Sequence, residues 1–448
     1  MWLILLLFLS IAFIILSTSV LKWHPFLSLL IAAFGFGILS GTMTLQEVVS
    51  AVNSGFGNTI GYIGIVILAG SIIGKFLEMS GGAFKLANST LKIVGKKNIP
   101  LAMSMVGYIV SIPVFCDSAF IVLSPLAKAL AKQIKSSLAV TAIALSLGLY
   151  VTHSLIPPTP GPVAAAGILE ADLGMVILLG LPVSLVGMIA GWFFSIKVAS
   201  KFHISAPKPT EESAVTVELD SSPSLIKSLL PIFAPILLII LRSINELPFH
   251  PFGEGKMAIF ISFIGQPTVA LLLGVFLAFL LPRKLTKEML STTGWLGQGI
   301  VAAATIIIVT GCGGAFGKVL QESGIAEVIK NNLSGAKSLG IFLPIIIAAA
   351  LKIAQGSGTV SIITSASLMA PLVVSLELDS SLARALVVVA IGSGAMIASH
   401  ANDSYFWVVT QMSNMSVNYG YKLQTIGTLF VGVICSLIVW LLSIWVLG

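Results

Sequence analysis

The sequence predicts an all-α polytopic membrane protein made of two inverted repeats, each with about five transmembrane helices and one re-entrant hairpin. Three observations carry that reading. The composition is overwhelmingly apolar, uncharged runs near 20 residues long follow one another, and a set of landmarks recurs once at a nearly fixed spacing.

Composition rules out a soluble globule. Of the 448 residues, 57% are hydrophobic and 9% charged, where a soluble domain carries about a quarter charged residues. A chain this apolar cannot clothe itself in water-compatible surface, so lipid is its main solvent. The 42 glycines and 20 prolines fit close helix packing and broken helices. The net charge of +7 comes largely from lysines in short loops between apolar runs. That is the pattern of a positive-inside bias, and no nucleic-acid partner is expected. Cys116, Cys312 and Cys435 lie in apolar sequence, with no disulfide framework or metal spacing. Trp2 to Val20 has no basic lead and no small-residue cleavage site, which predicts a retained first helix and not a signal peptide.

Full spans are expected near 2–20, 25–41, 58–77, 136–152, 173–196, 227–244, 264–282, 297–317, 382–399 and 424–447. Two longer apolar stretches, 99–133 and 339–377, are interrupted by Phe115-Cys116-Asp117-Ser118 and by Gln355-Gly356-Ser357-Gly358-Thr359. Each is expected to dip into the membrane and return. The polar stretch 198–226 reads as a solvated cytoplasmic linker between an N-terminal repeat (1–197) and a C-terminal one (227–448).

The halves are related. The pattern G-K-x-L-x-x-S-G at 74–81 recurs at 317–324, Ser124-Pro125 pairs with Ala370-Pro371, and Thr152-His153 pairs with Ser399-His400. An odd number of crossings per repeat inserts the second half upside down. With the N-terminus outside, most of the 24 lysines and arginines fall on the cytoplasmic side, while Arg242, Lys352 and Arg384 are among those left facing out.

Ionised groups at bilayer depth are costly and face a cavity or a partner. Asp117 and Asp403 are the two acids that interrupt apolar sequence, and both are candidates for proton coupling, Asp117 first. The plainer role for either is a structural hydrogen bond. His153 and His400 hold equivalent places in the repeats, where imidazole can titrate or donate near neutral pH; a lone membrane histidine otherwise packs. The run from Thr152 to Pro162 carries four prolines within six residues and cannot be a continuous helix. Broken backbone at depth is tolerated only inside protein or against a water-filled cavity. The segment near 150–162 is therefore read as an unwound stretch lining the site, with a second break at 399–405. The tip Gly356-Ser357-Gly358-Thr359 offers hydroxyls and backbone N–H groups at a half-helix start, which suit a carboxylate. Its glycines permit close approach. The substrate-binding set is thus Ser118, Thr152, His153, Thr159, Gly356, Ser357, Gly358, Thr359, Ser399, His400 and Asn402. Few fixed cations accompany it, which suits a small polyhydroxylated monoanion better than a highly charged acid. No cofactor motif is present.

Four segments carry a family resemblance: Pro113 to Ser118 with Ser124-Pro125-Leu126, Tyr150 to Pro162, Ala164 to Leu169, and Ser399 to Trp407. They resemble the gluconate permease family over essentially the whole chain. The resemblance implies proton-coupled uptake of gluconate or a related sugar acid across a bacterial inner membrane; other members are thought to carry other aldonates, fructuronate, glycerate or D-serine. It also implies the wider ion-transporter superfamily, in which a transport domain with two hairpins moves against a dimerising scaffold, and hence a homodimer working by an elevator-type motion. Sodium coupling through tip carbonyls and hydroxyls stays open, as does a passive channel. An intramembrane serine hydrolase built on Ser357 and His400 is disfavoured, because both residues follow the repeat and a triad is defined by geometry.

Overall fold

The computed structural model describes residues 2–95, 98–133, 136–205, 223–246, 251–253, 255–325, 328 and 340–447. Every regular element among them is helical. The first half contains α1 (Trp2–Ser19), α2 (Pro25–Ser40), α3 (Leu45–Met79), α4 (Gly82–Val94), α5 (Ile99–Val110), α6 (Cys116–Gln133), α7 (Leu138–Leu155), α8 (Pro160–Ile168) and α9 (Leu173–Lys197). The second contains α10 (Leu225–Asn245), α11 (Lys256–Ile264), α12 (Pro267–Ala278), α13 (Trp295–Glu322), α14 (Phe342–Gln355), α15 (Gly358–Met369), α16 (Ser381–Gly394), α17 (Ser404–Met412), α18 (Val417–Gly420) and α19 (Ile426–Leu447), the last two joined by a π turn, Tyr421–Thr425. The halves keep step: helices begin at 342, 358, 381, 404 and 417 against 99, 116, 138, 160 and 173, each 242 to 244 residues on.

Lipid offers no hydrogen bonds, so helix ends must be satisfied within the chain. Thr44 and Glu47 form a reciprocal cap for α3, Thr44 N–H donating to Glu47 Oε2 at 2.7 Å and Glu47 N–H to Thr44 Oγ1 at 3.3 Å. Asp172 caps α9 by accepting from Met175 N–H at 2.8 Å and also accepts the Ser243 hydroxyl at 2.5 Å, tying α9 to α10. Ser137, Ser224, Ser380 and Ser416 cap α7, α10, α16 and α18.

Among the described residues, six helical stretches are long and apolar enough to cross a bilayer, or seven if α11 and α12, bent by 66°, count as one. Hydropathy alone predicts ten. The difference lies in short helices: α1, α2 and α16 have 18, 16 and 14 residues, below the ~20 of a full span. α16 has no need to match the lipid, because protein buries most of it; it stops at Gly394 and the chain turns, Ala398 taking φ +57°. Conversely α3 starts at Leu45 and not near 58, since Gln46, Glu47, Asn53 and Asn58 dilute a helix that hydropathy alone cuts short. The linker expectation also changes. Residues 206–222 lie outside the described residues, but 198–205 are fastened to α7: Ser137 Oγ donates to Phe202 O at 2.6 Å and accepts from Ile204 N–H at 2.9 Å, and Leu138 N–H donates to Ile204 O at 3.0 Å.

α7 lies innermost, with every residue buried except His153. α3 and α13 pack along their length, and their backbones touch. A Cβ on Gly314 would stand 2.0 Å from Thr59 Oγ1 and 2.7 Å from Gly55 O, the small-residue contact that membrane helices use. Gly314→Val should therefore lower the melting temperature of the detergent-solubilised protein, since overpacking costs about 1–3 kcal/mol. Gly61→Ala, on an open face of α3 where no atom lies within 4 Å of the added Cβ, should leave it unchanged. Melting followed by size exclusion checks both; an unchanged Gly314→Val curve contradicts the contact.

Candidate functional site

The site is built where helices stop inside the protein. α7 ends at Leu155 because the next residues are Ile156-Pro157-Pro158, and a residue before proline is disfavoured in helical geometry. Thr152 and His153 therefore stay helical, and the unwound piece is the buried Ile156–Thr159, with a cis Pro157–Pro158 peptide. The break expected at 150–162 is thus shorter and begins later than the sequence predicts. In the first hairpin the turn occupies 111–115, and Cys116, Asp117 and Ser118 already form the first turn of α6.

In the second half α14 ends at Gln355, and Gly356 adopts φ +86°. Only glycine fits there, because a Cβ would lie 2.2 Å from Asn402 O. Ser357 then caps α15, accepting from Val360 N–H at 3.3 Å. The chain breaks again at 395–403, and Asp403 caps α17 by accepting from Tyr405 N–H at 3.1 Å. The two breaks are laced together. The last carbonyls of a helix have no partner within it; here Asn402 Nδ2 donates to Ile353 O at 2.8 Å and Ala354 O at 3.3 Å, and His400 Nε2 lies 2.9 Å from Ile353 O.

At the centre is a residue the sequence reading misplaced. Lys352 was expected to face outward; instead it is 1% exposed. Its ammonium donates to Gly356 O and lies 2.6 Å from Asp403 Oδ2. Ser399 Oγ donates to the same carboxylate oxygen at 2.5 Å. The available signal was positional: Lys352 is the one basic residue between 340 and 377, a single helical turn before Gly356. Lys352 is thus one fixed cation at the site, and it is already matched by Asp403.

Aromatic rings join this cluster to the first half. Tyr150 of α7 stacks on Tyr405 with centroids 5.3 Å apart, Lys352 Nζ lies 5.9 Å from the Tyr150 ring centroid, and Phe120 of α6 meets Tyr405 edge-on at 6.2 Å. Tyr405 donates its hydroxyl to Ser146 O at 3.0 Å. Asp117, one turn before Phe120, lies within Coulombic range of Asp403 and Lys352. Its Oδ1 is buried with no hydrogen-bond partner, as are the Tyr150 hydroxyl and Asn402 Oδ1.

Of the sequence-predicted residues, Asp117, Gly356, Ser399, His400, Asn402 and Asp403 fall in or beside this cluster. Gly358 sits against it, its position 3.7 Å from the Tyr150 hydroxyl for an added Cβ. Ser118 and Thr359 are half-buried at the starts of α6 and α15. Three others are used locally. Thr152 Oγ1 donates to Gly148 O at 3.3 Å, Thr159 Oγ1 to Ile156 O at 2.5 Å, and the His153 ring packs on Phe115 with centroids 6.0 Å apart. Ser357 is exposed, and its hydroxyl serves the cap.

Residues 2–445 match the family described as GntP family permease. The chain is similar to a gluconate permease of Pseudomonas aeruginosa, 34% identical over 429 residues that cover 94% of this chain and 93% of that one. It is also similar to the D-serine transporter DsdX of Escherichia coli, 33% identical over 444 residues covering 99% and 98%. Among solved structures the YdaH transporter of Alcanivorax borkumensis shares the fold, with a TM-score of 0.66 over 95% of this chain and 100% of that one at 13% identity. With a family match over nearly the full length, and relatives of 33–34% identity covered almost end to end, the chain belongs to the GntP family of permeases, multi-pass transporters of the bacterial inner membrane.

Proposed function

We propose that this permease takes up gluconate or a related small hydroxylated carboxylate together with a proton. In this reading two oppositely oriented repeats, each with a re-entrant hairpin, move the site by an elevator-type displacement within a homodimer. The observation that carries it is Asp117: a carboxyl in the first turn of a broken helix, one oxygen buried and unpartnered, beside a buried ion pair. That oxygen is free to take a proton. Asp403 is not, because Lys352, Ser399 and the Tyr405 N–H engage its two oxygens. Coupling is therefore assigned to Asp117, with Asp403 as a fixed counter-charge.

The substrate carboxylate is assigned to the N-terminal N–H groups of α15, at Gly358 and Thr359, where unpaired donors and the helix dipole favour an anion. Ser118, Thr359 and the Tyr150 hydroxyl are the groups left to read substrate hydroxyls. The gluconate permease and D-serine transporter relatives support a small polar acid. A hydrolase reading finds no support: Ser357 Oγ serves its cap, His400 Nε2 lies on Ile353 O, and the family is one of permeases.

In proteoliposomes, an inward proton gradient should drive accumulation of one or more of gluconate, glycerate and D-serine; accumulation driven by a sodium gradient alone overturns the coupling. Asp117→Asn should abolish acid-driven accumulation while substrate counterflow persists, and full pH-driven accumulation in that variant refutes the role. Asp403→Asn leaves Lys352 as an unmatched buried charge, so it should destabilise the protein by about 3–5 kcal/mol. Removing both charges in Lys352→Met/Asp403→Asn should recover part of that loss, as read from thermal melting of the purified variants.

A further inference from the structure

The ammonium of Lys352 is held by two oxygens of the kind that a bound alkali ion takes. Hard cations take oxygen ligands, and broken helices present them as unwound carbonyls at half-helix C-termini. Here the C-terminus of α14 points its last carbonyls toward the junction, the negative end of its dipole. Lys352 Nζ is bound by Gly356 O and Asp403 Oδ2, a backbone carbonyl and a carboxylate. Ser399 Oγ shares that carboxylate oxygen at 2.5 Å. Asn402 Oδ1 and the Tyr150 hydroxyl are buried without hydrogen-bond partners, Asn402 packed against Gly356 and the Tyr150 ring centroid 5.9 Å from Nζ. Carbonyl, carboxylate, amide and hydroxyl oxygens are the groups that ligate a monovalent metal ion, and one of them, Asp403, needs a positive partner at this depth.

We propose that Lys352 fills a monovalent-cation site with its own side chain, so that this permease carries a tethered cation at the junction of α14 and α17 where a free sodium ion would otherwise bind. The idea rests on the transport reading above only for its consequence, the choice of coupling ion. A permanently occupied cation position leaves sodium nothing to bind at this junction, and a proton on Asp117 then remains the coupling species. It also predicts that sodium dependence is latent: deleting the ammonium should uncover it.

The test reads binding by stability, which keeps it separate from transport. Purified wild-type protein should melt at the same temperature in sodium chloride and in choline chloride at matched ionic strength. Lys352→Ala should melt several degrees lower in choline, and sodium should raise its melting temperature saturably toward the wild-type value. Lys352→Met/Asp403→Asn, which lacks both the ammonium and the carboxylate ligand, should fold and show no sodium response. A Lys352→Ala protein that melts identically in the two salts overturns the proposal, as does a sodium shift in the wild type or in the double variant. If Lys352→Ala can be isolated only in sodium, the proposal is supported; if it can be isolated in neither salt while the double variant folds, the proposal fails, because sodium has not replaced the missing charge. Absence of proton-driven uptake would sink the transport reading and leave these melting results standing.

Discussion

A buried lysine bonded to a buried aspartate governs how the second half of this permease is put together. Removing two charges from water costs several kcal/mol for each ion, and the attraction between them offsets this only when their other bonding positions are filled. Both conditions are met with few atoms. Asp403 pairs with Lys352, accepts from Ser399 and caps α17 through the Tyr405 N–H. Lys352 reaches back to the carbonyl of Gly356, the residue at which α14 stops. One carboxylate thus balances a charge and starts a helix, so the electrostatics and the chain path cannot be altered separately.

The same junction shows how differently the two halves are held while their helix starts stay in step. Counting from helix starts, the position of Lys352 in α14 corresponds to Ile109 in α5, and the cap position of Asp403 before α17 corresponds to Thr159 before α8. Among the described residues, the first half breaks its helices at the corresponding places with no ion pair at either position. It relies on prolines, which end α7 for covalent reasons, and on a threonine hydroxyl turned onto its own backbone. Its buried carboxyl, Asp117, lies within Coulombic range of the second half's pair, one turn from Phe120, which meets Tyr405 edge-on. Two chemically symmetric halves would have no such polarity between an engaged carboxylate and a free one.

Much of this was legible in the sequence because lipid leaves few options. Hydropathy located the long helices, and the scarcity of charge at depth singled out Asp117 and Asp403. Proline and glycine marked the breaks to within a few residues. What was hidden followed from how side chains meet in space. Lys352 looked like a loop residue because a charge near the end of an apolar run usually reaches water; its burial depends on Asp403, 51 positions away. Thr152 and His153 looked unwound because prolines follow, yet proline disturbs the residue before it and spares the helix further back. The 13 residues that α3 adds before 58 carry polar groups, which hydropathy takes for loop and a helix backbone tolerates. The fastening of 198–205 to α7 is made by one serine hydroxyl bonded to two backbone groups, which leaves no compositional mark.

The bonds from His400 and Asn402 to the end of α14 have a mechanical consequence. Both side chains reach the carbonyl of Ile353, and Asn402 adds Ala354. Parting the turn at 399–403 from α14 would strip those carbonyls and, with them, separate the buried ion pair. The end of α14 and the turn at 399–403 are therefore one mechanical unit: displacing either breaks four bonds at once, so the joint resists bending more than its short helices alone would.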